Sequence, residues 1–313
     1  MSKLYIIILF VFLVLFLLLI YNGISKEQHL ESIININEQD KPYLWVYWEL
    51  INGATKPPDY ITLCINIMKR NCSENFNLVF LNEKTIFNYL PDLRKDINDL
   101  PIALKSDYIR VRLLKKYGGL WMDADTIVMT DLKEIAQKII EDVDFIGFGC
   151  TGEICKDNEG YGRPSNGVMG SVRNGKLITR CLNALNLKLN AYYDTPINER
   201  KNFNYFELGK LIIWKEYINL MKEDPNYKMY HVPSYSDGTR DNEGKWVALD
   251  LIFNKPINYK DRSKLLVVML ANSSYCGNNK KYNWFCKLKR NDILNGDYFV
   301  STLFREALNY NKS

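Results

Sequence analysis

The sequence is poor in histidine. Its 313 residues include two, His29 and His231, and His29 falls in a polar stretch near the N-terminus, which leaves His231 alone for chemistry. A Ser-His-Asp hydrolase needs a histidine that serves a nucleophile elbow, and the sequence has no such elbow. A single histidine in a strand is ordinarily a satisfied structural residue. The seven cysteines, Cys64, Cys72, Cys150, Cys155, Cys181, Cys276 and Cys286, contain no C-x-x-C pair and no Cys/His ligand spacing, which argues against structural zinc. Their odd number leaves at least one thiol free, while Cys150/Cys155 and Cys276/Cys286 are near enough in sequence to close loops in an oxidising lumen.

Charge is missing from one long run. Leu4 to Tyr21 carries none, and as a helix that run is long enough to cross a ~30 Å hydrocarbon core. A removable signal peptide would have a shorter apolar region and an A-x-A cleavage site, whereas Asn22-Gly23-Ile24 follows here. The expectation is therefore a single-pass signal-anchor at 4–21 in a type II arrangement, a polar stem at 22–41 and one domain at 42–313. The sequence does not distinguish a Golgi-type lumen from a bacterial or viral-factory membrane. With 47% hydrophobic residues, the domain has material for one large α/β core. The net charge of +5 is uneven, since Lys255 to Arg290 holds nine Lys or Arg against the single acid Asp261. A diphosphate or anionic lipid headgroups could use that positive field, and nucleic acid is not among the expected partners.

Apolar periodicity places the elements. Tyr43 to Trp48 and Asn77 to Leu81 read as strands; between them Pro57-Pro58 opens a helix whose inward face is Ile61, Cys64, Ile67 and Met68, and Asn82 caps a further helix. This alternation predicts a mainly parallel sheet with a crevice at the strand ends. A helix starting at Asp99 or Pro101 runs to Gly118-Gly119, where glycine accepts a cap that a Cβ would obstruct. Leu120-Trp121-Met122 follows as a strand, and Asp123-Ala124-Asp125 sits where it runs out, with both carboxylates on one side of the extended chain. Such a pair raises each member's pKa unless a cation neutralises it, and Mg²⁺ or Mn²⁺ held by two carboxylates implies a phosphate-bearing substrate. Asp107 and Arg110, three apart, share a helix face. Further on, Thr126 to Met129 and Asp144 to Gly149 read as strands continuing the parallel architecture, Asp131 as a helix cap, and Thr151 to Ser165 as a long polar loop. Gly175 to Leu189 and Tyr205 to Met221 read as amphipathic helices, and Tyr227 to Val232 and Leu265 to Leu270 as late strands.

The stretch from Ser106 to Thr130 resembles the core signature of glycosyltransferase family 32 and of the related capsular polysaccharide synthesis proteins: Ser-Asp, two residues, Arg, an apolar helix, Gly-Gly, an aromatic, one residue, Asp-x-Asp. Every one of those positions is filled, and yeast-type initiating mannosyltransferases and clostridial toxin glucosyltransferase domains look similar over the same span. The resemblance implies a GT-A-like fold and a retaining, metal-dependent hexosyltransferase that takes a nucleotide-sugar donor and a glycan or glycolipid acceptor. On that resemblance Asp123 and Asp125 hold the metal, Asp107 and Arg110 contact the donor sugar, Tyr47 and Trp48 meet the nucleotide base, and Trp121 and Asn166 line the donor site. Asn272-Ser273-Ser274 is the best-placed C-terminal addition to the metal or diphosphate shell. Two other classes remain open at this level. A phosphohydrolase or nucleotidyltransferase of the two-metal type needs a second acid cluster, and none stands at comparable strand-end spacing. A membrane-tethered binding protein of the same fold would need no intact acids.

Overall fold

The structure is a computed structural model that describes residues 41–50, 53–150, 163–227, 229–276 and 280–310. The expected anchor at 4–21, the stem up to residue 40 and most of the polar loop at 151–165, including Cys155, lie outside the described residues. Among the described residues no helix is long and apolar enough to cross a membrane.

Eight strands are described: β1 (Tyr43–Tyr47), β2 (Asn77–Leu81), β3 (Gly119–Met122), β4 (Thr126–Val128), β5 (Phe145–Cys150), β6 (Arg163–Ser171), β7 (Tyr230–His231) and β8 (Val267–Met269). Six of them form one sheet in the order β2-β1-β3-β6-β5-β7. The β1/β2, β1/β3 and β5/β7 pairings are parallel, while β6 runs antiparallel to both of its neighbours. The sheet is thus mainly parallel, with one reversed strand in its middle. Periodicity alone does not distinguish such a strand, because parallel and antiparallel strands share the two-residue side-chain repeat.

That repeat gives the sheet two buried faces. Leu44, Val46, Leu120, Met122, Ile146, Phe148 and Val168 point into one core, which takes Ile61, Cys64, Ile67 and Met68 of the first helix and the C-terminal elements. Trp45, Tyr47, Trp121, Phe145 and Met169 point into the other, against Leu104, Ile109, Leu113, Leu185 and Ile212. A sheet covered on both faces by helices is what the alternating order of strands and helices anticipates.

The helices are α1 (Asp59–Cys72), α2 (Ile86–Tyr89), α3 (Ile102–Tyr117), α4 (Lys133–Ile140), α5 (Lys176–Asp194), α6 (Lys210–Glu223), α7 (Asn272–Tyr275), α8 (Asn283–Cys286), α9 (Arg290–Asn295) and α10 (Phe299–Leu308). In α1 Pro58 is the cap residue, Asp59 occupies the first turn, and Lys69 and Arg70 occupy the last, an arrangement that complements the helix dipole. Asn82 accepts from the backbone N–H groups of Lys84 and Thr85, an Asx turn leading into α2. Pro101 caps α3, and Gly118 ends it at φ +71°. A Cβ on Gly118 would come within 2.7 Å of the Arg173 backbone nitrogen, and one on Gly119, at φ +101°, would collide with the Tyr43 carbonyl. The double glycine is therefore required both by conformation and by close strand approach.

Three expected elements are corrected. The chain does not continue in the main sheet after β3: the Thr126 N–H bonds to the Asp123 carbonyl at 3.1 Å, turning the chain so that β4 pairs antiparallel with β8 in a separate two-stranded sheet. The late strands are shorter than the runs at 227–232 and 265–270. Helix α6 starts at Lys210 rather than Tyr205. Before it, the Asn204 side chain accepts from the Phe206 N–H and the Glu207 carboxylate accepts from the Asn204 N–H, so local side-chain bonds hold a turn in place of a helical start. Phe206 and Leu211, apolar members of the expected amphipathic helix, are each 43% exposed.

Cys276 and Cys286 form a disulfide across ten residues, and Cys64, Cys72 and Cys181 are buried free thiols.

A buried acid cluster at the end of the third strand

The site begins with helix spacing. Asp107 and Arg110 lie one turn apart in the buried half of α3, and Arg110 Nη2 meets Asp107 Oδ1 at 3.2 Å with both side chains 5% exposed. This is a core ion pair and not a surface one. Arg110 is fixed further by Ser106, whose hydroxyl accepts at 3.0 Å, and by the Asn166 carbonyl. Its guanidinium lies over the Trp121 ring, 4.9 Å from the centroid, and Nη1 reaches Asp123 Oδ1 at 3.2 Å. One cation therefore serves two carboxylates that arrive from different elements.

Asn166 of β6 donates its side-chain N–H to Asp107 Oδ1 at 2.7 Å. Trp121 is fully buried and donates Nε1–H to Asp123 Oδ1 at 2.9 Å, so it positions Asp123 from behind. The Asp123 N–H is in turn bonded to the Gly167 carbonyl at 2.7 Å.

Asp125 is held differently. Its Oδ2 accepts from the Asn272 backbone N–H at 3.0 Å, and its carbonyl accepts from the Leu270 N–H at 3.1 Å. The Asn272 side-chain oxygen accepts from the Tyr60 hydroxyl, which also lies 3.2 Å from Cys276 Sγ. Asn272 is thus beside the acid pair, as expected, but it reaches Asp125 through its backbone.

Burial dominates the electrostatics. Asp107 is pushed up to about 7, mainly by desolvation, with Arg110 opposing and Asp123 adding to the rise. Asp125 is pushed up to about 7 by desolvation and then by the charge of Asp123. Asp123 is also raised by desolvation, against the pull of Arg110 and Trp121. Its side chain nevertheless keeps 34% of its surface accessible, so the carboxylate sits deep among protein atoms at a point a ligand can reach. Three crowded acids share one guanidinium, an excess of negative charge that a divalent cation at the Asp123/Asp125 pair would offset. Asp123 Oδ1 is occupied by Arg110 and Trp121 and Asp125 Oδ2 by the Asn272 N–H, which leaves the other oxygen of each carboxylate for a cation. Among the described residues no group of three or more His, Cys, Asp or Glu side chains is placed to hold a metal ion; a cation held by the Asp123/Asp125 pair would take its remaining ligands from its substrate and water.

The remaining expected site residues fall at the end of β1. Trp48 is half-buried there, whereas Tyr47 is 5% exposed, with its hydroxyl donating to Glu49 Oε2 at 2.7 Å. His231 lies on the edge strand β7, with its ring 6.3 Å from that of Tyr217. Gly209 has no signal in the sequence. A Cβ there would stand 2.5 Å from Asp107 Oδ2 and overlap the Asn166 side-chain nitrogen, so the turn before α6 closes directly on the Asp107 side of the cluster.

A family model described as capsular polysaccharide synthesis protein matches residues 19–242. The chain belongs to the capsular polysaccharide synthesis protein family. This membership supports a nucleotide-sugar glycosyltransferase, in agreement with the signature in α3 and β3. No curated protein sequence matches the chain. Among solved structures, similarity extends to an active-site mutant of LgtC, at 13% identity over 85% of this chain and 95% of that one with a TM-score of 0.41. It extends also to the glycosyltransferase GlyE of Streptococcus pneumoniae TIGR4, at 13% identity over 87% and 65% with a TM-score of 0.41. The PaToxG glycosyltransferase is similar at 16% identity over 59% and 70% with a TM-score of 0.36. Likeness at that distance transfers no residue roles.

Proposed function

We propose that this member of the family is a metal-dependent, retaining hexosyltransferase that moves a hexose from a nucleotide diphosphate sugar to a hydroxyl of a glycan or glycolipid. The observation that carries the reading is the convergence of Asp107, Arg110, Asp123 and Asp125, from a helix and a strand end, on one cluster in which the Asp123 side chain stays 34% accessible.

Asp125, assisted by Asp123, would hold Mn²⁺ or Mg²⁺, which when bound supplies Lewis-acid stabilisation of the leaving diphosphate. Asp107 and Arg110 hold the sugar hydroxyls; Ser106, Trp121 and Asn166 keep these two in place, so little reorganisation accompanies charge development. Trp48 and Tyr47, which pack against opposite faces of the sheet at the end of β1, would meet the nucleotide base. In the transfer the acceptor oxygen bonds to the anomeric carbon on the face that the diphosphate leaves. The carbon–oxygen bond to the diphosphate breaks, its electron pair stays on the departing oxygen, and the acceptor proton passes to that oxygen. No side chain is assigned as a nucleophile.

The test is slow donor hydrolysis by the full chain in detergent, with Mn²⁺ and a panel of UDP-, GDP- and CMP-sugars. One donor should be cleaved, and Asp125→Asn should reduce its turnover by two or more orders of magnitude. Asp107→Asn should lower turnover while leaving free UDP or GDP binding nearly intact. Wild-type turnover in Asp107→Asn would remove Asp107 from the sugar site, and no turnover or nucleotide binding with any donor would favour a binding protein.

A further inference from the structure

Beside the acid cluster the chain exposes two consecutive aromatic side chains. Tyr205 is 53% exposed and Phe206 43%, with their rings 5.0 Å apart and nearly perpendicular. An exposed pair of this size loses burial that a folded chain normally gains, yet the backbone beneath it is firmly held. The Asn204 and Glu207 side chains bond the turn internally at 2.8 and 3.0 Å, the Glu207 N–H bonds to the Asn204 carbonyl at 3.0 Å, and Lys188 anchors Glu207 to α5 at 2.6 Å. Lys210 Nζ stands 3.6 Å over the Phe206 ring. The ledge is rigid while its rings are open, the state of a surface prepared to be covered.

Its position is fixed from both sides. Gly209, four residues after Tyr205, lies against Asp107 and Asn166. On the other side, burial raises the Tyr205 hydroxyl above its ordinary value, the Ser273 side chain opposes the rise, and the charges of Asp123, Asp107 and Asp125 add to it. Ser273 adjoins Asn272, whose backbone holds Asp125. The tyrosine therefore stands beside the cluster, near both the residues assigned to the donor sugar and those assigned to the metal.

Pyranose rings present a face of C–H groups flanked by hydroxyls, and such a face packs on an exposed aromatic ring that also carries a polar tip. We propose that the Tyr205–Phe206 ledge is the acceptor platform: a hexopyranose unit of the acceptor stacks on Tyr205 and presents a hydroxyl toward the acid cluster. This inference rests on the transferase reading and adds the acceptor subsite to it. Tyr205 determines acceptor binding and takes no part in bond making.

The probes are methyl α- and β-glycosides of glucose, galactose, mannose and N-acetylglucosamine, added to the detergent-solubilised full chain with saturating UDP or GDP and Mn²⁺. Saturation-transfer NMR should show at least one glycoside bound with its ring-face C–H protons most strongly saturated. Tyr205→Ala should weaken that binding at least fivefold, Tyr205→Phe should preserve it, and Phe206→Ala should fall between. Equal binding by Tyr205→Ala, or no binding of any probe by the wild-type chain, would overturn the proposal. Glycoside binding without cleavage of any donor would refute the transferase reading while leaving a sugar site at the ledge.

Discussion

The two ends of the acid cluster are held in opposite ways. Asp107 is fixed by a helix-mate, Arg110, and by Asn166 on the adjacent sheet. All of these fall inside the span matched to the family. The Asp125 side chain depends on the backbone N–H of Asn272, 147 residues away, in helix α7, which ends just before Cys276 of the Cys276–Cys286 disulfide and lies outside that span. The first arrangement is a dense, charge-compensated core contact. The second consists of two backbone bonds from a late segment, Asn272 N–H to the side chain and Leu270 N–H to the carbonyl. The cluster thus pairs a half built from neighbouring elements with a half completed only when the C-terminal elements dock; on the proposed reading the first faces the sugar and the second the metal.

Two variants break this comparison from either side. The larger effect belongs to Arg110→Met, which leaves Asp107 and Asp123 buried without their shared cation. Breaking a buried pair in this way costs about 3–5 kcal/mol, readable in chemical denaturation, and a loss below about 1 kcal/mol would mean that Arg110 is not the element compensating the cluster. The smaller effect belongs to the double change Cys276→Ser and Cys286→Ser. Opening a loop of this length should lower stability by about 2–3 kcal/mol and weaken Mn²⁺-dependent nucleotide-sugar binding, because Asn272 is then less firmly placed under Asp125. Unchanged donor affinity in that variant would uncouple the disulfide from the metal-facing half.

The same asymmetry decides what the sequence reveals. The Asp107–Arg110 face follows from a spacing of three on a helix, and the Asp123–Asp125 pair follows from a glycine stop and a four-residue strand, all local signals. Both sheet faces are legible in the alternation of Leu44, Trp45, Val46 and Tyr47. What stays hidden depends on contacts between distant segments. The departure of β4 to pair with β8 follows from a turn at Asp123 to Thr126 that no periodicity marks. Tyr205 and Phe206 read as part of an amphipathic helix because their apolar character matches the period, whereas the Asn204 and Glu207 side chains hold the turn instead. Gly209 becomes informative only once Asp107 and Asn166 are seen against it. The position of Asn272 after a late strand is enough to bring it to the acid pair, but its use of a backbone N–H has no sequence signature.

The central claim is that the buried acids form a metal and nucleotide-sugar site. Its most direct test is calorimetric titration of the full chain with the cleaved donor in Mn²⁺ and again in excess chelator. The account predicts that affinity falls at least tenfold when the cation is removed, since Asp123 and Asp125 would then face the diphosphate without a cation between them. Equal affinity with and without divalent cation would contradict it.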